Sequence, residues 1–412
     1  MLDKLNFNKI RSFIMLFCST FLGKFIGILT IGIISRNILV SDKGIYDYYN
    51  VIVSYIILFI NFGFELYFME LNINKKVPTE YLFSVQVRAR GSISLILITL
   101  TTISLFISGN LTSKTILLIL LMLKLLSYTF DVTWNLRIDE KFNKIAKYEI
   151  INSFIKLILV YFIIRGNNIM ALVLIDILLD YILKLNIYFN YKYKILKSVT
   201  FKDVINIIKK SFIINLSSFM ISIYYSVDTL MLGIFRSSTE VAIYTGAYTF
   251  LAMAIIPTSI LYQIYSPQLI KNKGNKSILH KYIIVTALTG IVVFLGVRLI
   301  GAFAIKIILG SQYNDSAELL KVLCIDLVPC YLAGALANPI NAWGNYNSYF
   351  KVVMIGGLFN IISNFFIIPI YGYYGAVITT ILSEVIVFIV ALIWWTKKRE
   401  WMGEMNEDSV NT

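Results

Sequence analysis

The chain has 412 residues, of which 58% are hydrophobic and only 15% are charged. Soluble globular proteins average about 45–50% apolar and about 25% charged residues, so this composition excludes an ordinary cytosolic enzyme. The formal charge of +14 would suit nucleic-acid binding in a soluble protein. Here the basic residues lie mainly in short loops between apolar runs, which indicates membrane topology and no nucleic-acid partner.

Twelve apolar runs approach or exceed the roughly 20 residues that a membrane-spanning helix needs. Each is expected to be helical, because backbone groups in hydrocarbon must be hydrogen-bonded within the segment. The first run follows a basic leader and is too long for a cleavable signal, so we interpret it as a span. In chain order the predicted spans are 12–34, 46–68, 91–108, 115–133, 149–164, 169–189, 211–235, 243–265, 282–303, 319–340, 351–370 and 374–396.

The basic residues between the spans predict the orientation. With the N-terminus in the cytoplasm, cytoplasmic segments hold 25 Lys and Arg residues and external segments hold 6. Cytoplasmic loops carry such an excess, so we expect both termini inside. The largest loop is basic and separates two pseudo-symmetric bundles of six helices. The predicted parts are an N-terminal lobe (1–190), a connector (191–210), a C-terminal lobe (211–396) and a cytoplasmic tail (397–412).

The two predicted lobes show a weak internal echo. Arg36 is followed by Ile45-Tyr46, and Arg236 is followed by Ile243-Tyr244. Chance similarity between apolar helices is common, so this echo alone leaves duplication open. Repeats with a binding site between them are nevertheless typical of transporters.

No catalytic or metal-binding motif stands out. The sequence lacks a phosphate-binding loop for ATP, and its three cysteines have no metal-ligand spacing. The single histidine, His280, cannot build a zinc site. We therefore expect a transporter and not an enzyme, with no cofactor and no metal other than a coupling ion.

Cations inside the spans are informative, because charged groups are costly in lipid and usually face a cavity. Lys24, between Gly23 and Gly27, is mid-span. Several cations opening on one cavity would suit an anionic substrate such as phosphate. The alternatives are ion pairs with acids or, near the ends of spans, snorkelling to the interface. The candidate cavity cations are Lys24, Arg36, Lys124, Lys156 and Arg298.

For Lys124 and Lys156, the alternative partners are Asp131, Asp176 and Asp180. Asp176, Asp180 and Lys184 recur every four residues and share one helix face. This spacing favours an internal ion-pair ladder.

Acids within the spans predict a second kind of site. Asp228 lies among apolar residues, and Asp326 and Glu384 lie within later spans. An acid in a membrane either carries a proton, binds Na⁺ or pairs with a cation. Asn360 and Asn364 share a helix face, so with Asp228 and Thr380 they would offer oxygens to a hard cation. Alternatively, the amides bond neighbouring helices.

The second half also carries a recognisable order of motifs. They are Val227-Asp228-Thr229, Glu240-Val241-Ala242-Ile243-Tyr244, Ile256-Pro257, Asn338-Pro339-Ile340-Asn341, Asn360 with Asn364, Pro369-Ile370-Tyr371-Gly372 and Thr379-Thr380 with Glu384. With the twelve spans, this order resembles the polysaccharide-exporter branch of the MOP flippase superfamily, which is MATE-like in fold. The likeness is greatest to the O-antigen or capsule repeat-unit flippases called Wzx.

The resemblance implies two six-helix bundles in a V around a central cavity that works by alternating access. It implies a cargo of oligosaccharide linked through pyrophosphate to undecaprenol, moved from the inner to the outer leaflet of the bacterial plasma membrane. A polysaccharide polymerase and a chain-length regulator are the further partners it suggests.

The resemblance extends to a possible coupling ion. The related lipid II flippases bind Na⁺ through an Asp on helix seven, an Asn-x-x-x-Asp pair, a backbone carbonyl and a Thr. The matching positions here are Asp228, Asn360, Asn364, Ala376 and Thr380. Asn364 replaces an acid with an amide, which leaves Na⁺ and H⁺ both open as coupling ions.

Two other functions compete. A cation-coupled multidrug exporter of the MATE type shares the architecture but predicts an acidic cavity, against which Lys24, Lys124 and Lys156 argue. A membrane polymerase or glycosyltransferase needs a large external loop or acidic catalytic motifs, and the longest external segment, near 304–318, is small.

Overall fold

The apolar runs fold as helices, which confirms the all-α class predicted from the sequence. The structure is a computed structural model that describes residues 22–139, 141–191 and 193–408. Within these ranges it leaves out the side chains of 142, 213–221, 223–225 and 398–408. The described residues form helices joined by turns, without a strand.

The chain divides into a first compact unit that ends at Ser222 and a second that begins at Ile223. The division falls inside a long helix, α10, whereas the sequence suggested a boundary in the 191–210 connector. The helices of the first unit are α1 (22–37), α2 (Val40–Asn61), α3 (Phe64–Lys75), α4 (Thr79–Ile107), α5 (Ser113–Met122), α6 (Lys124–Ser127), α7 (Thr133–Ile138), α8 (Phe142–Ile163), α9 (Ile169–Tyr191) and the start of α10 (Phe201–Phe235).

The second unit continues from α10 through six further helices, some of which are joined by short turns of other helix types. They are α11 (Ser238–Lys271), α12 (Lys276–Gly296), α13 (Ala302–Leu309), α14 (Asn314–Leu323), α15 (Leu327–Ala342) and α16 (Tyr346–Asp408). A π-helical turn, Val297–Gly301, joins α12 to α13, and a 3₁₀ turn, Cys324–Asp326, joins α14 to α15. Polar N-caps fix some helix starts: the Asn275 side chain accepts hydrogen bonds from two backbone N–H groups of α12.

Seven helical segments of the described residues are long and apolar enough to cross a membrane. They are Val40–Lys75, Thr79–Ile107, Ser113–Phe130, Ser238–Lys271, Lys276–Leu309, Ser311–Ala342 and Tyr346–Lys397. These segments match predicted spans two to four and eight to twelve, the last segment holding two spans. The predicted fifth and sixth spans correspond to α8 and α9, whose interiors carry charges. The predicted first span is described only from residue 22 onward.

The outward faces of these helices are apolar. Phe106, Leu299 and Phe303 are 74%, 78% and 64% exposed. Apolar surface of this extent is stable against lipid tails and not against water. The chain is therefore a multi-span membrane protein.

Of two backbone breaks in the structure, the sequence missed the first and predicted the second. The predicted second span is interrupted, because Phe62 and Gly63 both adopt positive φ, at 52° and 69°. Gly63 reaches this region without a Cβ penalty. The break predicted between the last two spans is present at Gly372, with φ 56° and ψ −138°. Residues with a Cβ rarely adopt this combination of φ and ψ, so this turn requires glycine.

One helix starts much earlier than expected. The predicted span 91–108 is the second half of α4, which begins at Thr79. The earlier turns of α4 carry Arg88 and Arg90. Their charges lower the hydropathy of these turns, so hydropathy did not assign the turns to a membrane span. Arg90 is nevertheless buried, and its Nη1 donates to the Tyr128 carbonyl at 3.0 Å.

Close helix packing in the second unit yields a stability prediction. A Cβ built on Gly290 of α12 would lie 2.6 Å from Tyr331 Cβ of α15, whereas one built on Gly296 meets nothing within 4 Å. Gly290→Ala should lower the free energy of unfolding by about 1–3 kcal/mol through overpacking. Gly296→Ala, in the same helix, should leave it unchanged or raise it. Thermal unfolding of the purified variants measures both, and equal midpoints would contradict this packing.

Candidate functional site

The second unit contains a buried polar cluster around Asp228. Helix α10 supplies Asp228, α11 supplies Tyr244, and α16 supplies Asn360 and Asn364 before its break at Gly372 and Ala376, Thr379 and Thr380 after it. Asp228 is 3% exposed and Asn364 is fully buried. Asn360 and Asn364 share a face because they are four residues apart on one helix. The break at Gly372 allows residues on both sides of it to contact the same carboxylate.

Both oxygens of Asp228 are satisfied by neutral donors. Tyr244 donates its hydroxyl to Oδ2 at 2.6 Å, and Thr380 Oγ1 lies 2.9 Å from the same oxygen. Asn364 Nδ2 donates to Oδ1. Three neutral groups thus lie within hydrogen-bond distance of this carboxyl group, where lipid and protein exclude water.

Other polar groups around Asp228 are within hydrogen-bond distance of one another. Thr380 Oγ1 lies 2.8 Å from the Ala376 carbonyl, and Asn364 Nδ2 lies 3.1 Å from Asn360 Oδ1. Asn364 Nδ2 thus bridges Asp228 and Asn360. A positively polarised N–H group here takes the place that a cation between these oxygens would take. Turning the Asn364 amide by half a turn would instead present Oδ1, which a hard cation can bind.

The structure therefore brings together all five coupling-ion candidates of the second unit. We call Asp228, Tyr244, Asn360, Asn364, Ala376, Thr379 and Thr380 the Asp228 cluster. Sequence reasoning missed Tyr244 and Thr379 as members of this cluster. The Thr379 hydroxyl donates a hydrogen bond to Asn364 Oδ1. Whether the cluster holds an ion in the transport cycle stays a prediction.

In the first unit, Lys124 and Lys156 converge on Asp176. Lys156 Nζ lies 2.6 Å from Asp176 Oδ1, and Lys124 Nζ lies 3.5 Å from Oδ2. Tyr46 donates its hydroxyl to the same Oδ2. Of the alternatives left open by the sequence, Asp176 is the partner of both lysines. We call Tyr46, Lys124, Lys156 and Asp176 the Asp176 cluster.

The Asp176 cluster has one more cation than it has acids. The side chain of Asp176 is 6% exposed and that of Lys124 12%, whereas that of Lys156 is 32% exposed. Lys124 also lies 3.4 Å from Asn50 Oδ1. Lys156 is therefore the member best placed to exchange its partner for an incoming anion.

The predicted ladder on α9 is only partly formed. Lys184 lies 3.7 Å from Asp180, but it also donates to Ser127 Oγ at 2.8 Å and lies over the Tyr128 ring. Asp176, one turn earlier, pairs instead with the lysines of other helices.

The other three candidate cations lie apart from these clusters. Lys24 is exposed and makes no hydrogen bond or ion pair with any residue that the structure describes. A Cβ on Gly23 would contact Ser153 of α8 at 3.8 Å, whereas Gly27 faces open space. Arg36 is exposed at the end of α1. Arg298 is exposed in the π-helical turn, where its Nη1 donates to the Lys321 carbonyl at 3.2 Å.

A further polar cavity of the first unit lies at the break between α2 and α3. It encloses about 180 Å³ and is lined by Asn61, Glu65, Arg90, Asp131 and Trp134 among others. Its charges are balanced, since Arg90 faces the two acids and Glu65 also pairs with Arg137 at 2.6 Å. Nothing in the sequence pointed to this cavity, because Arg90 was assigned to a loop.

Comparison with solved structures identifies the fold. The chain is similar to the lipid II flippase MurJ in an inward closed conformation, with a TM-score of 0.73 and 14% identity over 93% of this chain and 87% of the other. It is also similar to a multidrug resistance MATE family transporter of the MOP superfamily in an inward-facing conformation, with a TM-score of 0.64 and 16% identity over 92% and 96% of the two chains. At these identities the likeness shows the fold alone.

Comparison of sequences adds the family. A curated relative, the capsular polysaccharide biosynthesis protein CapF of Staphylococcus aureus, is 24% identical over 403 residues, which cover 92% of this chain and 97% of CapF. The family model described as polysaccharide biosynthesis protein matches residues 10–265. The chain therefore belongs to the polysaccharide biosynthesis protein family and has a MOP-superfamily fold.

Proposed function

We propose that this protein translocates undecaprenyl-pyrophosphate-linked oligosaccharide repeat units from the inner to the outer leaflet of the bacterial plasma membrane by alternating access. The product would be O-antigen or a capsule-type polysaccharide. Support comes from the family, from the capsular role in CapF's name and from the fold shared with a lipid II flippase. A polysaccharide polymerase and a chain-length regulator are the further partners of this proposal.

The charge balance of the Asp176 cluster carries the proposal. Two lysines meet one carboxylate there, and Lys156 stays about one-third exposed. A buried charge is stable only when it is paired, so the surplus cation favours an anion from outside. A pyrophosphate group offers several oxygens to lysine and forms charge-assisted hydrogen bonds with it. Lys24, which has no partner among the described residues, would add a further cation from α1.

A multidrug exporter of organic cations is the second candidate. It is favoured by the MATE fold and by the buried acids Asp326 and Glu384 of the second unit. It fits the first unit poorly, because an organic cation would meet the surplus of lysines around Asp176. The cargo experiment that follows separates the two functions.

The first experiment tests the cargo. The protein is expressed in a bacterial strain that lacks its own repeat-unit flippase and makes the native repeat unit of this system. We expect surface glycan to be restored and lipid-linked intermediates to be depleted. Lys156→Met and Lys24→Ala should lower the flipping rate by on the order of tenfold to a hundredfold, as expected for the loss of a charge-assisted hydrogen bond.

Two matched variants control this experiment. Lys156→Arg keeps the charge and should retain activity, and Lys114→Ala removes an exposed lysine at the start of α5 and should be neutral. Membrane levels of each variant are measured in parallel. Wild-type levels of surface glycan in both Lys156→Met and Lys24→Ala would remove these cations from substrate binding. Failure of the wild-type protein with its native repeat unit would refute the flippase function itself.

We further propose that the Asp228 cluster is the coupling-ion site. The cluster has one buried carboxylate, so it attracts a cation less strongly than a site with two carboxylates would. Asn364→Asp adds a second carboxylate beside the first, and like charges in one buried site destabilise the fold unless a cation joins them. Na⁺ should therefore stabilise Asn364→Asp more than it stabilises the wild type.

Thermal midpoints in NaCl and KCl at equal ionic strength measure this effect. We expect the Na⁺-specific increase in midpoint to be larger in Asn364→Asp than in the wild type. Adding Asp228→Asn should abolish it in both backgrounds and should stop transport in the surface-glycan assay. A Na⁺-specific increase that survives Asp228→Asn would place the ion elsewhere.

A further inference from the structure

The polar cavity at the break between α2 and α3 has polar groups that the protein does not satisfy. We call it the Arg90 cavity; it encloses about 180 Å³ within the first unit, and Asn61, Arg90 and Trp134 are among the residues that line it. Arg90 is 4% exposed, and its Nε has no hydrogen-bond partner among the described residues. Asn61 Oδ1 is also buried without a partner there. Buried polar atoms in native proteins are nearly always hydrogen-bonded, so a buried donor and a buried acceptor beside one cavity indicate a polar ligand or water.

The backbone break adds further donors to the same cavity. Gly63 precedes α3 with φ 69°, and no side chain caps the start of this helix. The N–H groups of Phe64, Glu65 and Leu66 therefore have no acceptor in the described part of the chain, as expected for the first turn of a helix. All three residues line the cavity. The break also places Phe62 at φ 52°, which is costly for a residue with a Cβ, so a strained turn directs backbone donors to this cavity.

The charges around the Arg90 cavity cancel. Arg90 interacts electrostatically with Asp131 and Glu65. Glu65 Oε1 also pairs with Arg137 Nη1 at 2.6 Å. Two cations and two carboxylates leave no net charge that would attract an ion. A ligand that uses both the donors and the acceptors has to be neutral and has to donate and accept hydrogen bonds, as hydroxyl groups do.

The walls of the cavity are fixed, and its volume limits the ligand. Arg90 Cζ lies 5.5 Å from the centre of the Phe64 ring. The Trp134 indole N–H donates to Gln86 Oε1 at 3.1 Å, and Gln86 Nε2 donates to the Asp131 carbonyl at 2.9 Å. Groups held in this way lose little freedom when a ligand binds. The volume equals that of about six water molecules, which is room for one sugar ring with its hydroxyl groups and not for several.

We propose that the Arg90 cavity is a carbohydrate subsite that binds one neutral pyranose residue of the oligosaccharide cargo. This assignment of the ligand rests on the proposed function, because the cargo supplies the sugar. The predicted orientation puts the loop after α3 in the cytoplasm, where the repeat unit begins its crossing. Glu65 lines the cavity and its side chain is 40% exposed, so the cavity can be reached from outside the fold. The subsite is separate from the Asp176 cluster, whose lysines would bind the pyrophosphate.

Saturation-transfer NMR of the purified full-length protein in lipid nanodiscs tests the proposal. The probes are the methyl glycosides of glucose, galactose, N-acetylglucosamine and N-acetylgalactosamine, and empty nanodiscs give the background. We expect saturation of the ring protons of at least one glycoside. Asn61→Leu removes the acceptor at similar size, and Asn61 Oδ1 has no protein partner to lose. This variant should weaken binding of that glycoside by about tenfold and leave the thermal midpoint unchanged or raised.

Two further variants control this experiment. Asn110→Leu makes the same substitution at an exposed residue after α4 and should leave glycoside binding unchanged. Leu66 lines the cavity and is 58% exposed, so Leu66→Trp should narrow the cavity without overpacking the core. It should weaken binding as well, and it provides the readout if Asn61→Leu fails to fold. Absence of saturation for every glycoside, or binding that is unchanged in both cavity variants, would overturn the proposal. A lowered thermal midpoint in Asn61→Leu with unchanged glycoside binding would assign the cavity to structural water instead.

An anion arm and the surface-glycan assay separate the remaining outcomes. Methyl phosphate is the anionic probe, and we expect no saturation of it that depends on Asn61. If methyl phosphate bound at the expense of the glycosides, the cavity would be an anion site and the sugar assignment would be wrong. The NMR measurement requires no transport. Glycoside binding without rescue of surface glycan would keep the sugar site and refute the flippase function, whereas rescue without glycoside binding would refute the sugar site alone.

Discussion

The free-energy cost of an ionised group away from water constrains this protein more than any other interaction. Each buried acid is stabilised in a different way. Asp176 has two lysines and a tyrosine hydroxyl, Asp228 has three neutral donors, and Asp326 has neither. The first arrangement favours an anion and the second favours the exchange of a donor for a cation. The third leaves the buried Oδ1 of Asp326 without a hydrogen-bond partner among the described residues. The chemistry of each site therefore follows from how its carboxyl group is compensated.

The weak sequence similarity between the two halves includes a tyrosine that makes the same kind of hydrogen bond in each half. Tyr46 and Tyr244 occupy matching places in the echo, near the starts of α2 and α11, and each donates its hydroxyl to a buried aspartate. Their acceptors, Asp176 and Asp228, do not match in helix order. A repeated donor with different acceptors is what we expect when two related halves keep a packing element and change their polar chemistry.

Hydropathy predicted most of the helices, because a bilayer demands long apolar segments and the sequence displays them directly. It misplaced elements where charge or backbone geometry decided the outcome. The start of α4 was missed because Arg90 is buried against a backbone carbonyl, and the break at Phe62 and Gly63 has no signature beyond a single glycine. The spacing of Asn360 and Asn364 predicted a shared face, and the resemblance linked them to Asp228. The contact of Tyr244 with Asp228 and the approach of Asp326 to Glu384 could not be predicted from the sequence, because both depend on how separate helices pack.

The two units differ in the sign of their uncompensated charge. The buried Asp176 cluster of the first unit has a surplus lysine, whereas a buried cavity of the second unit is lined by the three acids Asp228, Asp326 and Glu384. Had the lysines and the acids shared one cluster, they would have neutralised each other, and neither an anionic head group nor a cation would gain by binding. Their separation into different compact units preserves both attractions. Under the proposed function, the lipid-linked anion and the coupling cation would therefore bind to different side chains, each in its own compact unit.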